Sequence, residues 1–383
     1  MKPIYTYPEL FLQKIGDLYW ATGHPAKNKI PEENWKPLGK RAEKRVPVKA
    51  ILENLPQLTL PSEYGQIDYV RTGKKGAPTI LLVPGFPDCW FTFHQIIPLL
   101  AEDYDIVTYS PPGHGYSTFT SAFDFSIDSY ALVMRMLIHR LQLKDIHLVG
   151  HSVGGEQAIR TTLQLKSREV IQSLTLINAW APSLCPEKTS WDFSEDITTW
   201  PIVGKELIRL FGGRLGGMKE MFKKIFFKPE ERPHIQNLAS ELTKTFTNGT
   251  AFHLFIKGQT AQAITKMQKE QKRINESVKE YFDETRKKYG YLPKIPTLVI
   301  GTKYDRLFPI SYAQGLYKNI HQFNEKTYFR KIYPSGHMPQ LEAPKRLAEH
   351  LKKFIFSVEH PESLFLPFPE SESEQFEEPL LWT

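Results

Sequence analysis

Apolar residues along this chain fall into two alternating periodicities. Thr79 to Val83 (TILLV) is a short continuous apolar run, the pattern of a strand covered on both faces, as parallel strands are. Asp105 to Tyr109, Ile146 to Val149, Ser173 to Ile177 and Thr297 to Gly301 read the same way. Gln66 to Arg71 alternates instead, as an outer strand does, and Tyr328 to Tyr333 (YFRKIY) reads as the last strand. From Tyr130 onward, Val133, Met134, Leu137, Ile138 and Leu141 recur at helical spacing and predict an amphipathic crossover helix. Leu347, Leu351, Phe354 and Ile355 predict a closing one. The order strand, helix, strand, tight turn, helix is what a parallel sheet requires, because parallel neighbours cannot be joined by a hairpin. The expected fold is α/β, a mostly parallel central sheet flanked by helices.

The strand pattern stops near Pro182 and returns after Tyr291, which predicts an inserted helical cap over residues 183–290 between two core pieces, 61–182 and 291–357. Residues 1–60 read as an N-terminal leader or arm, and 358–383 as an acidic tail rich in Pro and Glu. Within the cap, GGRLGG at 212–217 is a flexible joint; it lacks the preceding strand and the spacing of a phosphate loop. Met218, Met221, Phe222 and Ile225 share one helical arc with Lys219 and Lys223 beside it. The arc fits a cap helix facing a site, and weak contact with a membrane surface is the alternative.

Length and composition agree. The 383 residues, 41% apolar and 13% aromatic, suffice for one large α/β domain with an insertion. No run of 18 apolar residues occurs and the first residues show no apolar signal segment, so a cytoplasmic protein is expected. The two cysteines, Cys89 and Cys185, make neither a disulfide framework nor a metal-ligand set, and no cofactor is expected. The net charge of +7 conceals an asymmetry: residues 357–383 hold seven glutamates and no Lys or Arg, leaving +14 on the other 356 residues. Those charges are scattered without aromatic interleaving, so a solvated surface is expected rather than a nucleic-acid platform.

The candidate chemistry centres on IHLVGHSVGGEQA, residues 146–158, where a buried strand passes into a helix through Gly150, His151, Ser152, Val153 and Gly154. A G-x-S-x-G turn needs hydrogen at both flanking positions to avoid its own backbone, and it pushes the serine hydroxyl out of the sheet. The helix start also aims N–H groups at an oxyanion forming there. Two later strand ends carry residues of catalytic type, Asp305 in TKYDRLFP and His337 in PSGHMPQLEAP. The order Ser, Asp, His is that of one known triad arrangement.

On these pieces, PGFPDCW, PPGHGYS, GHSVGG, GTKYDRLFP and SGHMPQLEAP, the chain resembles the α/β-hydrolase superfamily over roughly residues 64–182 and 291–356. It is similar there to the capped group that includes epoxide hydrolases, haloalkane dehalogenases, esterases and lipases. The resemblance implies catalytic Ser152, Asp305 and His337, with an oxyanion hole from the N–H groups of Phe86 and Val153. Serine where relatives that open epoxides carry aspartate implies acyl transfer, and the expected activity is that of an esterase or lipase on an apolar acyl substrate. The same triad also suits a carbon–carbon bond or thioester hydrolase, and the fold can serve as a non-catalytic ligand-binding protein. One departure stands out: the usual His-Gly before the oxyanion position is Pro84-Gly85 here, so the loop must be held differently. Asn178 occupies the competing acid position, and His114 and His151 read as structural.

Overall fold

The computed structural model describes residues 57–86, 88–114, 117–120, 122–165, 170–185, 225–228, 287 and 295–362. Eight strands form one sheet: β1 (Gln57–Ser62), β2 (Gly65–Gly73), β3 (Thr79–Val83), β4 (Asp105–Tyr109), β5 (Ile146–His151), β6 (Ile171–Ile177), β7 (Thr297–Thr302) and β8 (Thr327–Ile332). Their spatial order is β1-β2-β4-β3-β5-β6-β7-β8. Every neighbouring pair from β4 to β8 is parallel, while β1 with β2 and β2 with β4 are antiparallel.

Six α-helices accompany the sheet among the described residues, α1 (Ile97–Ala101), α2 (Ile127–Arg140), α3 (Val153–Leu165), α4 (Ile310–His321), α5 (Pro339–Glu342) and α6 (Pro344–Glu359), with a 3-10 turn at Trp90–Phe93. The continuous apolar strands are explained by a core on each face. Successive residues of a strand point to opposite sides, so Leu81, Val83, Val107 and Leu148 meet Met134, Leu137, Ile159 and Leu316 on one face. Ile80, Leu82, Ile106 and Ile300 meet Leu100, Leu351 and Phe354 on the other. Each such side chain contributes about 1.5–3 kcal/mol by burial.

The observed elements extend some of the expected ones. β1 lies partly inside the stretch expected as leader, and it pairs with β2 from Gln57 opposite Val70 to Ser62 opposite Gly65. α2 begins at Ile127 rather than Tyr130 because Ser126 caps it. The Ser126 hydroxyl accepts the Ser129 N–H at 3.2 Å, and Asp128 stands in the positively polarised first turn. Most of the expected cap, including the joint at 212–217 and Met218, Met221 and Phe222, lies outside the described residues, as do 1–56 and 363–383. Residues 225–228 are described, and Ile225 and Phe226 are buried in the second core. No helix of the described residues is long and apolar enough to cross a membrane.

Candidate active site

The carboxyl ends of the parallel strands bring the candidate residues to one edge of the sheet, where ligands of open α/β folds bind. Ser152 follows β5 directly and holds φ at +53°, a left-handed conformation that costs a non-glycine residue about 1–3 kcal/mol. Neighbouring backbone holds it there. The Ser152 N–H donates to the Ile177 carbonyl at 3.0 Å, and its carbonyl accepts from Gly155 at 2.9 Å and Trp180 at 3.0 Å. The flanking glycines are required sterically: a Cβ at Gly150 would lie 2.5 Å from the Gly154 carbonyl oxygen, and one at Gly154 would strike the Val83 carbonyl at 2.6 Å. Val153 opens the 13-residue helix α3, so the dipole's positive end faces the serine.

His337 follows β8, and its Nδ1 lies 2.7 Å from Asp305 Oδ2. The other Asp305 oxygen accepts the N–H groups of Leu307 at 2.8 Å and Phe308 at 3.0 Å, which fixes the carboxylate plane. A carboxylate can only accept, so Nδ1 carries the proton and Nε2 presents its lone pair. Both side chains are buried, the Asp305 carboxylate completely. The backbone of His337 is gripped as well. Its carbonyl accepts from His151 Nε2 at 2.9 Å and from Asn178 Nδ2 at 3.1 Å, and its N–H donates to the Ile225 carbonyl at 2.6 Å.

Asn178 and the two other histidines fit structural roles. Asn178 ties β6 to β7 by donating to Thr302 Oγ1 at 2.9 Å and accepting the Thr302 N–H at 3.0 Å. Burial, and then the neighbouring His337, push the His151 pKa down to about 3, so His151 stays neutral and donates from Nε2. Burial likewise lowers His114 to about 4; its ring sits edge-on to Phe86 with centroids 5.2 Å apart. Both cysteines are buried free thiols, and burial raises the Cys89 pKa, which disfavours a nucleophilic thiolate.

The loop from Pro84 to Phe86 crosses directly over the serine, since a Cβ at Gly85 would lie 2.8 Å from the Ser152 Cβ. Pro84 cannot donate the hydrogen bonds of a histidine, and the loop is instead pinned just beyond it. The Asp88 N–H returns to the Gly85 carbonyl at 3.0 Å, and Asp88 Oδ1 accepts the Cys89 N–H at 2.9 Å. Trp90 then donates its indole N–H to Asp68 Oδ2 at 2.8 Å, and the Ser110 hydroxyl donates to the same oxygen at 3.1 Å. Asp68 on β2 thus joins the PGFPDCW and PPGHGYS loops. Sequence reasoning did not single out Asp68 or Glu342, the buried carboxylate below His337. Neither stands out locally: Asp68 sits in an alternating strand pattern and Glu342 in PSGHMPQLEAP beside Gln340.

The chain belongs to the α/β hydrolase fold family, whose model matches residues 78–344. A relative, the uncharacterized hydrolase YugF of Bacillus subtilis (strain 168), is 33% identical over 96 residues, 25% of this chain and 35% of that protein. The chain thus spans about a third of that relative's length. A thermophilic esterase from Thermogutta terrifontis superposes with a TM-score of 0.58 at 19% identity, covering 79% of this chain and 98% of its own. A bromoperoxidase from Bacillus anthracis does so with a TM-score of 0.54 at 18% identity, covering 78% and 99%. These neighbours share the fold and bear different activities, so the reaction must be argued from the site.

Proposed function

We propose that the protein is a serine hydrolase that cleaves a carboxylic ester through an acyl-serine intermediate. The observation that carries this reading is the His337–Asp305 hydrogen bond of 2.7 Å, with the second carboxylate oxygen held by two amides, in a chain whose strand-to-helix turn bears Ser152. Ser152 Oγ attacks the ester carbonyl while His337 Nε2 takes its proton, and Asp305 stabilises the imidazolium formed. The N–H groups of Phe86 and Val153 receive the oxyanion. Collapse of the tetrahedral intermediate breaks the carbon–oxygen bond, His337 returns the proton to the departing alcohol, and water repeats the cycle on the acyl-serine. Each step uses only protein groups and water. The dense aromatic and aliphatic sequence of 183–290 supports an apolar acyl group as the substrate's bound part.

The test is labelling with a fluorophosphonate probe, with folding followed by circular dichroism. Wild type should label and Ser152→Ala should not, while both give the same spectrum. Labelling that persists in the folded alanine variant would place the nucleophile elsewhere and remove this reading.

A further inference from the structure

Residues 225–228 belong to the insertion between β6 and β7, yet three contacts tie them to the loops that bear His337 and Asp305. The Ile225 carbonyl accepts the His337 N–H at 2.6 Å. Glu342 reaches both sides of the joint: Oε2 accepts the Phe227 N–H at 2.8 Å and Oε1 accepts the Gly336 N–H at 2.9 Å. The Phe227 ring stacks on Tyr304, the neighbour of Asp305, with centroids 3.9 Å apart and planes 10° from parallel. At Gly336 there is room for hydrogen alone, since a Cβ would lie 2.5 Å from the Ile225 carbonyl oxygen and 2.8 Å from the Phe227 nitrogen.

Glu342 is fully buried, and a carboxylate there is tolerable only because charge-assisted hydrogen bonds replace its water. Its two oxygens take amides from two chain segments, Phe227 at 115 residues from Glu342 and Gly336 at 6. Gly336 directly precedes His337, and Phe227 lies two residues past the carbonyl that receives the His337 amide. The carboxylate therefore closes a small ring of backbone whose members are the inserted segment and the histidine loop.

We propose that Glu342 is a positioning residue that locks segment 225–228 to the loop bearing His337, so that the seating of this segment sets where the general base stands. This rests on the reading of His337 as general base. The backbone of His337 cannot shift without breaking the Ile225 bond, and segment 225–228 cannot lift without freeing the Phe227 side of the clamp. Loss of the clamp displaces a proton-transfer group and leaves the acyl-binding surface in place, so it acts on kcat more than on KM.

The experiment uses Glu342→Gln in the full chain. Gln keeps one acceptor and turns its amide donor toward the other N–H, so it breaks one half of the clamp at nearly constant volume. Fluorophosphonate labelling and ester kcat should fall about ten- to a hundredfold with KM little changed. The amides of His337 and Phe227 should exchange hydrogen faster, and together. A folded Glu342→Gln protein with wild-type kcat overturns the proposal, as does faster exchange at Phe227 with His337 unaltered. A purely structural glutamate would lower Tm and leave kcat of the folded fraction unchanged. If Glu342→Gln does not fold, Phe227→Ala removes the stack on Tyr304 and keeps the backbone N–H. It should show the same paired exchange with a smaller loss of rate, and unchanged rate and exchange would overturn the clamp. Labelling that survives Ser152→Ala would remove the hydrolase reading, and the paired exchange then decides the clamp by itself.

Discussion

Gly85 runs so close to Ser152 that a methyl group on it would lie 2.8 Å from the serine Cβ, well inside van der Waals contact. The two residues meet where the reading of the site needs them to: the Phe86 N–H, one residue on, is a proposed donor to the oxyanion. Gly85→Ala must push either the loop or the serine aside. The variant should fold and label with fluorophosphonate roughly 10²- to 10³-fold more slowly, the loss typical of one oxyanion-hole donor. A wild-type labelling rate would show that Phe86 is not a donor.

Asp305→Asn should leave the packing intact and still lower ester turnover by about 10³- to 10⁴-fold. An asparagine oxygen at Oδ1 can keep the Leu307 and Phe308 amides, which turns its NH₂ toward His337 Nδ1. Nδ1 must then accept, the proton moves to Nε2, and the lone pair needed by Ser152 is gone. Steady-state kinetics beside a thermal melt checks this, since an equal Tm with near-normal turnover would contradict the assigned role.

Asp68 should make stability depend on pH in a direction unusual for a carboxylate. Burial raises its pKa to about 6, against which the Trp90 and Ser110 hydrogen bonds pull down more weakly. A carboxyl group with a raised folded-state pKa contributes stability that is complete below its unfolded value, about 3.9, and is lost as pH rises through about 6. The loss is on the order of 3 kcal/mol. Asp68→Asn removes this titration and keeps an acceptor for the Trp90 indole. The Tm of the variant relative to wild type should therefore climb as pH rises from about 4 to 7, and a flat difference would refute the buried-acid description.

Substrate choice should follow the apolar character of the insertion, where Trp191, Phe193, Trp200, Phe211 and Phe222 crowd within a short stretch. Each acyl methylene that such residues took out of water would contribute about 0.8 kcal/mol, close to fourfold in kcat/KM, until no further apolar surface was available. A series of p-nitrophenyl esters should show that rise and then a break, unchanged in high salt, because apolar burial is not screened as charge is. A flat series, or a preference for anionic acyl groups that salt abolishes, would point to a different substrate.

The sequence by itself determined the strands from β2 to β8 and the turn at Ser152, because both are written in neighbouring residues. A strand buried on two faces is a local apolar run, as TILLV is, and the turn admits only hydrogen at Gly150 and Gly154. The pairing of Asp305 with His337 was legible in order, each standing after a late strand, and the hydrogen bond that joins them depends on β7 and β8 lying side by side. Other features were decided only by the tertiary structure. QLTLPS carries too weak an alternation to announce β1, and it becomes a strand because β2 offers it an edge. Asp68 and Glu342 read in the sequence as ordinary charged positions. They are buried because their partners come from far away, Trp90 over 22 residues and Phe227 over 115, and local periodicity holds no information about who arrives from that distance.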